Sequence, residues 1–361
     1  MERVTVPIRG RSYDVLIGDG VLASTSAHLP PLDPATKGFV LFDQAVATWL
    51  PAIETALAER GLRTYPLVVP SGEAAKTMDV YGTMLHQLAS QEAHRDDVVV
   101  GLGGGSVGDH AGFVASTYMR GTRLLQVPTT LIGQVDAAIG GKTAVNLPEG
   151  KNLVGTFYQP LAVLCDVATL ASVPDRDYRS GLAEVAKYAL ALDLELLEQL
   201  ESDPSPVLAR TPGTLEGLVT RCVAIKARTV AADERDGGER LVLNYGHTLG
   251  HALERLDAFQ GRSHGEAVAI GMVFAARLAE RRGLAASGLT TRTRRLLSSL
   301  GLETDGALPP VRDILAAFRL DKKFHGGIRF VLLANVGRPE VVEGVGDEEL
   351  RTVLEEMGAS G

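Results

Sequence analysis

His247-Thr-Leu-Gly-His251 places two imidazoles four residues apart, on one face of a helix. His264-Gly-Glu266 follows after a short polar loop, so three of the chain's eight histidines fall between positions 247 and 264. Two neutral imidazoles and a carboxylate suit a divalent ion with open coordination positions, such as zinc. On spacing alone the expected ligands are His247 and His251. The carboxylate must then come from elsewhere, and Glu184 in Ser180-Gly-Leu-Ala-Glu-Val-Ala-Lys187 is a candidate. The plainer alternative is a group of capping and core histidines.

A second constellation is Gly103-Gly-Gly-Ser-Val-Gly-Asp109, which matches G-x-G-x-x-G at Gly103, Gly105 and Gly108. It follows the apolar run Val98–Leu102 and opens a helical pattern, the order in which free backbone N–H groups can meet a pyrophosphate. The acidic residue expected about 20 positions onward is missing. Asp43, at the end of an earlier apolar run, is the candidate for the adenosine ribose instead. The plainer alternative is a tight strand-to-helix turn.

Basic residues recur beside glycines and histidines. Lys142 follows Gly140-Gly141, and Lys151-Asn152 follows Gly150. Lys187 lies one turn beyond Glu184, Lys226 and Arg240 precede His247, and Lys322-Lys323 precede Gly326-Gly327. Arg120 ends the glycine-loop helix. In a chain of formal net charge −8 this placement suggests recognition of a small anion.

The elements that must position these groups come in two kinds. Arg3–Ile8 and Tyr13–Ile17 read as an antiparallel pair. Apolar runs at Phe39–Phe42, Tyr65–Val69, Val98–Leu102 and Leu124–Val127 then alternate with helical patterns at Gln44–Arg60, Lys76–His94 and Ser106–Met119. Continuous apolar strands separated by helices predict a mainly parallel sheet covered on both faces. Beyond Val173–Pro174 the pattern is mostly helical, over Gly181–Leu200, Gly217–Ala232, Thr248–Leu256, Glu266–Arg282 and Thr290–Leu300, with one late hairpin pairing Arg329–Leu333 with Val341–Glu343. The expectation is an α/β, Rossmann-like domain over residues 1–175 and a mainly α-helical domain over 176–361.

The 361 residues exceed what one core usually serves, and the acidic balance argues against nucleic acid as a partner. Two cysteines without CxxC spacing read as buried thiols in a reducing compartment. No leader-like h-region follows the charged N-terminus, and no run approaches a membrane span, so the expected location is cytoplasmic.

Eight ordered segments together resemble the 3-dehydroquinate synthase family. They are Ser71-Gly-Glu-Ala-Ala-Lys76, GGGSVGDHAGFVASTYMRG at 103–121, PTTLIGQVDAAIGGKTAVN at 128–146, GKNLVGTFYQP at 150–160, RSGLAEVAKY at 179–188, DERDGGERLVLNYGHTLGHALE at 233–254, HGEAVAIGM at 264–272 and DKK at 321–323. The resemblance implies an N-terminal NAD domain, a helical C-terminal domain, a site in the cleft between them, a bound divalent metal (zinc or cobalt) and a homodimer. It makes Glu184, His247 and His264 the metal ligands and turns His251 into a substrate-phosphate contact. For NAD it implies Asp43, the segment Ser71, Gly72, Glu73, Ala74, Ala75 and Lys76, the loop residues Gly105, Ser106, Val107, Gly108 and Asp109, then Thr129 and Thr130, Lys142 and Lys151. The turn Thr169, Leu170, Ala171 and Ser172 completes that set. Substrate contacts are implied at Asp136, Lys142, Asn152, Lys187, Lys226, Arg240, Asn244 and Lys322 or Lys323. Arg120 is similar to a residue that reaches across the dimer to the phosphate. Ser71, Ala74-Ala75, Ser106 and His110 depart from the family's usual residues without removing a catalytic group.

The implied reaction closes a phosphorylated sugar acid, 3-deoxy-D-arabino-heptulosonate 7-phosphate, into a carbocycle. Transient oxidation at C5 acidifies C6–H, phosphate leaves by β-elimination, the ketone is reduced again, and ring opening precedes an intramolecular aldol step. Lys226 and Arg240 resemble the pair that holds the substrate carboxylate, which favours the sugar acid over uncharged-head sugars. The rival expectations are another sugar-phosphate cyclase and a metal-dependent alcohol or glycerol dehydrogenase.

Overall fold

The computed structural model describes residues 1–29, 31–33, 36–258, 261–319 and 328–361. The chain forms two compact units, one of Met1–Val173 with Arg210–Arg235 and one of Pro174–Ala209 with Asp236–Gly361. The sequence reading placed everything after residue 175 in the second domain, but residues 210–235 return to the first unit. There the helix Pro212–Ala232 packs on the antiparallel pair β1 (Glu2–Val6) and β2 (Tyr13–Gly18).

The first unit is built on a sheet of β1, β2, β3 (Lys37–Asp43), β4 (Arg63–Val69), β5 (Val98–Gly103), β6 (Arg123–Pro128) and β9 (Ala162–Asp166). Its spatial order is β1-β2-β9-β6-β5-β3-β4, parallel throughout except at β1. The intervening β7 (Lys142–Leu147) and β8 (Gly150–Phe157) form a separate antiparallel hairpin. The runs lack alternation because both faces are buried: Val98, Val100 and Leu102 point into one apolar cluster, while Val99 joins the other with Val107, Ala111 and Val114 of the helix Gly105–Thr117.

The order in which successive strands are added reverses between β3 and β5, since β4 lies on one side of β3 and β5, β6 on the other. The crevice at the carboxyl ends of strands at such a switch point is where open α/β sheets take ligands. Asp43 ends β3, Ser71 follows β4, the glycine loop follows β5, Thr129 follows β6 and Val167–Ser172 follows β9. The register aligns Asp43 with Val69 and Gly103 with Pro128, so these segments share one edge of the sheet.

The second unit is mainly helical, with Asp175–Leu192, His247–Leu256 and His264–Arg281 packed together, and a hairpin of β10 (Phe330–Asn335) and β11 (Arg338–Val342). The expected helix Gly181–Leu200 is two helices, because Asp193 ends the first and caps Leu194–Ser202 by accepting from Leu196 N at 3.1 Å. Cys165 and Cys222 are buried free thiols. Among the described residues no helix is long and apolar enough to cross a membrane.

One side chain fixes the switch-side turn after β9. Buried Asp166 accepts from Gly20 N, Leu22 N and Ala168 N at 3.0, 3.0 and 2.9 Å. Asp166→Ala strands three donors, and urea denaturation should show the first unit destabilised by about 3 kcal/mol. A change indistinguishable from zero would contradict this role.

Candidate active site

In the second unit, Glu184 comes from the helix Asp175–Leu192, His247 opens the helix His247–Leu256, and His264 opens the helix His264–Arg281. Glu184 Oε1 lies 3.5 Å from His247 Nε2 and 3.3 Å from His264 Nε2, and the three donor atoms all fall within 4.8 Å of one another. Donors held at about 2.0–2.1 Å around one tetrahedral ion are roughly 3.3–3.4 Å apart, so this donor set fits a single zinc-like ion.

The outer contacts prepare both imidazoles. His247 Nδ1 faces the Tyr245 carbonyl at 3.1 Å, and His264 Nδ1 faces Glu254 Oε2 at 3.2 Å. A carbonyl and a carboxylate only accept, so Nδ1 carries the hydrogen in each ring, and Nε2 is left as the nitrogen that would ligate an ion after giving up any proton it shares with Glu184. Glu254 was not singled out from sequence. Its position seven residues after His247 puts it on the same helix face, a signal that was available.

Burial alone would raise the Glu184 carboxyl, but the buried Lys187 ammonium against Oε2, with His247 and His264, holds it well below the usual range. Burial drives His247 well below its usual value, with Lys187, His264 and His251 adding to the effect. Burial pulls the other way on His264, yet its contacts with Glu184 and Glu254 raise it to about 10. A neutral His247 and an ionised Glu184 are already in ligand form.

Close backbone approach sets the geometry. A Cβ on Gly265 would meet Ser180 O at 2.3 Å, and Gly265 N donates to Ser180 Oγ at 2.9 Å. A Cβ on Gly271 would meet Gly246 O at 1.9 Å. Ser263 and Glu266 form a capping box, and Arg176 grips Glu266 with two nitrogens at 3.1 and 2.8 Å, fixing the first turn that carries His264.

His251 stands beside this triad, its ring 5.3 Å from His247 and 6.2 Å from His264, outside the donor group. The spacing-based pairing of His247 with His251 therefore gives way to Glu184, His247 and His264. Arg240 and Asn244 lie in the 3-10 turn Glu239–Asn244, Arg240 buried and Asn244 donating to Leu241 O at 3.1 Å. Lys322 and Lys323 lie outside the described residues.

In the first unit the glycine loop turns directly into its helix. A Cβ on Gly108 would lie 2.9 Å from Gln126 Oε1, and Gln126 Nε2 donates to Gly108 O at 2.9 Å. The third glycine thus permits close helix–strand packing. Asp43 accepts from Ala45 N at 2.9 Å and from Ser71 Oγ at 2.6 Å. Buried Lys76 pairs with Asp109 at 2.5 Å and also donates to Asn152 Oδ1. Burial raises Asp109 despite that cation. Burial also works to raise Glu73, but Lys76, Lys151, Asn146 and Ser106 outweigh it and hold the carboxyl low.

Thr129 is buried, and Thr130 Oγ1 accepts from Gly133 N at 3.2 Å. The segment Thr169–Ser172 lies in the 3-10 turn after Asp166, where Arg210 donates to the carbonyls of Leu170, Ala171 and Val173. Lys226 reaches Asp136 through its backbone oxygen at 2.7 Å and its carboxylate at 2.6 Å. Lys142 is exposed at the start of β7, and exposed Arg120 sits at φ 63 in the turn that ends the glycine-loop helix.

This geometry has close counterparts. The family model described as 3-dehydroquinate synthase N-terminal matches residues 66–180, and the one described as 3-dehydroquinate synthase C-terminal matches residues 181–324. The chain is 43% identical to the 3-dehydroquinate synthase of Thermobifida fusca, across 96% of this chain and 93% of that protein. It is 42% identical to the same enzyme of Cereibacter sphaeroides, across 99% and 98%. Among solved structures, 2-deoxy-scyllo-inosose synthase complexed with carbaglucose-6-phosphate, NAD+ and Co2+ matches at a TM-score of 0.89 and 28% identity, over 98% of this chain and 99% of that one. The 2-epi-5-epi-valiolone synthase of Streptomyces hygroscopicus with NAD+ and Zn2+ bound matches at 0.87 and 28%, over 96% of each. The fold is that of a sugar-phosphate cyclase. Within that class, the chain belongs to the 3-dehydroquinate synthase family.

Glu254 is the carboxylate that faces the far nitrogen of His264. Glu254→Ala leaves His264 Nδ1 without its acceptor, and metal competition titrations should show divalent-ion affinity falling about 10–100-fold. Unchanged affinity would show that Glu254 does not orient the ligand.

Proposed function

We propose that the chain is a 3-dehydroquinate synthase, converting 3-deoxy-D-arabino-heptulosonate 7-phosphate to 3-dehydroquinate and phosphate with catalytic NAD and one divalent metal ion. The observation that carries the reading is the joint occurrence of full-length identity above 40% to curated synthases and a three-helix donor set with metal-ligand spacing.

Glu184, His247 and His264 would hold the metal, which supplies Lewis acidity toward the sugar hydroxyls. The segments at the carboxyl edge of the first unit's sheet would hold NAD, which supplies reversible hydride transfer. The remaining work falls to the protein's own side chains. Lys187 keeps Glu184 ionised and its Oε2 occupied, leaving Oε1 for the ion. His251, beside the triad, would meet a substrate phosphate. Asn152, Lys226 and Asp136 belong to the proposed substrate set, as do Asn244 and Lys142. Buried Arg240 would meet the substrate carboxylate, a planar partner that a guanidinium binds through two parallel hydrogen bonds. Release of phosphate needs its leaving oxygen oriented and its charge stabilised, which fixed cations and donors achieve without reorganisation. A homodimer in the cytoplasm is part of this reading, with exposed Arg120 directed at the partner subunit's substrate.

The test is to incubate the protein with the sugar-acid phosphate and a small amount of NAD and follow inorganic phosphate. Release beyond the NAD supplied, abolished by a chelator and restored by zinc or cobalt, is expected. Stoichiometric NADH accumulation with a simple alcohol, and no phosphate, would identify a dehydrogenase instead. Arg240→Ala should weaken sugar-acid binding by about 100-fold while changing NAD binding by less than about twofold. Equal losses in the two titrations would remove Arg240 from the carboxylate site.

A further inference from the structure

The β7–β8 hairpin is irregular at one point. Val145 pairs with Val154 and Leu147 with Gly150, so Asn146 alone on β7 faces Lys151, Asn152 and Leu153 on β8. Such bulges leave ladder groups unpaired and re-aim side chains. Asn152 within it has φ 55, in the left-handed region that asparagine tolerates better than most residues.

Asn146 fills the gap with both ends of its amide. Its Oδ1 accepts the Asn152 backbone N–H at 2.9 Å, and its Nδ2 donates to Glu73 Oε2 at 2.7 Å. Only this orientation works, since a backbone N–H requires an acceptor and a carboxylate requires a donor. Glu73 Oε1 then accepts from Ser106 Oγ of the glycine-loop helix at 3.1 Å. Asp109, on that same helix, holds Lys76, and Lys76 returns to Asn152 Oδ1. The hydrogen bonds close a ring through three segments: the turn Gly72–Lys76, the glycine-loop helix and the hairpin bulge.

We infer that Asn146 is a positioning residue that locks the substrate-side Asn152 to the cofactor-side Glu73, so that one amide sets the geometry of both binding partners. The inference rests on the synthase reading for the roles of Glu73 and Asn152. Asn146 itself touches neither ligand in this assignment. Its chemistry is specific, because alanine removes both bonds, whereas aspartate keeps the acceptor for Asn152 and sets a negative charge against Glu73.

The two substitutions separate the two bonds. NAD affinity is measured by calorimetric titration and the sugar-acid phosphate KM by phosphate release, with thermal melting as a check on folding. Asn146→Ala should weaken NAD binding and raise KM by about tenfold each, at a melting temperature close to that of the unmodified protein. Asn146→Asp should weaken NAD binding by about tenfold while leaving KM within about twofold. The inference is overturned if Asn146→Ala moves neither constant, or if Asn146→Asp moves both as far as Asn146→Ala does. Should alanine unfold the hairpin, the aspartate split decides alone. An unmodified protein that binds no NAD or releases no phosphate defeats the synthase reading, whereas a working enzyme indifferent to Asn146 defeats only this inference.

Discussion

The contact on which the second unit depends is the approach of two helices at Gly265 and Ser180. No side chain larger than hydrogen fits there, because a Cβ would fall 2.3 Å from the Ser180 carbonyl oxygen. Four residues along from Ser180 is Glu184, and immediately before Gly265 is His264. The closeness of the two backbones is therefore what lets a short carboxylate and an imidazole meet at 3.3 Å. The same logic recurs at Gly246 and Gly271, where a Cβ would collide with the facing segment, and more mildly at Gly250, where it would press on Val268, so that the element carrying His247 is seated closely. Close packing transmits such displacements, since cores do not deform freely. The donors are set by backbone distances before any ion is bound.

Burial makes this arrangement demanding. Glu184 is 1% exposed, and an isolated carboxylate there would lose its hydration without return. Lys187 on the same helix compensates one oxygen, leaving the other facing two imidazole nitrogens. Breaking such a pair by removing one partner is costly because the survivor stays charged in a dry setting. The site thus holds a charged, well-directed oxygen away from water, which is what a Lewis-acidic ion requires to be bound and yet remain reactive.

Much of this was legible in the sequence, for identifiable reasons. The strands of the first unit announced themselves because burial on both faces forces unbroken apolar runs, as at Val98–Leu102. The glycine loop was legible because strand, glycines and helix must follow one another along the chain. β9 escaped notice although Ala162–Asp166 is such a run, and it proved central, between β2 and β6. The return of Pro212–Ala232 to the first unit was not readable, because an amphipathic pattern states that a face is covered but not by what. Spacing points to a different pair from the donors that the fold brings together. The i,i+4 rule guarantees that His247 and His251 share a face, but an ion needs converging donors, and convergence here comes from three separate helices.

Helix spacing does identify a different partner in the same segment. Glu254 shares the face of His247 and His251, yet it orients His264 on the next helix and not either histidine on its own. Likewise Asn146 acts on Asn152 and Glu73, one across a hairpin and one far back in the chain. In both cases the residue is polar, at least partly buried and hydrogen-bonded to a group on another element. Local periodicity can put such a residue on the right face, as it does for Glu254, but cannot name its partner, which depends on the donors and acceptors the fold brings to it. Accounting for those groups, at a bulge in one unit and around two imidazoles in the other, is what separates the residues that could contact ligands from those that hold the contacts in place.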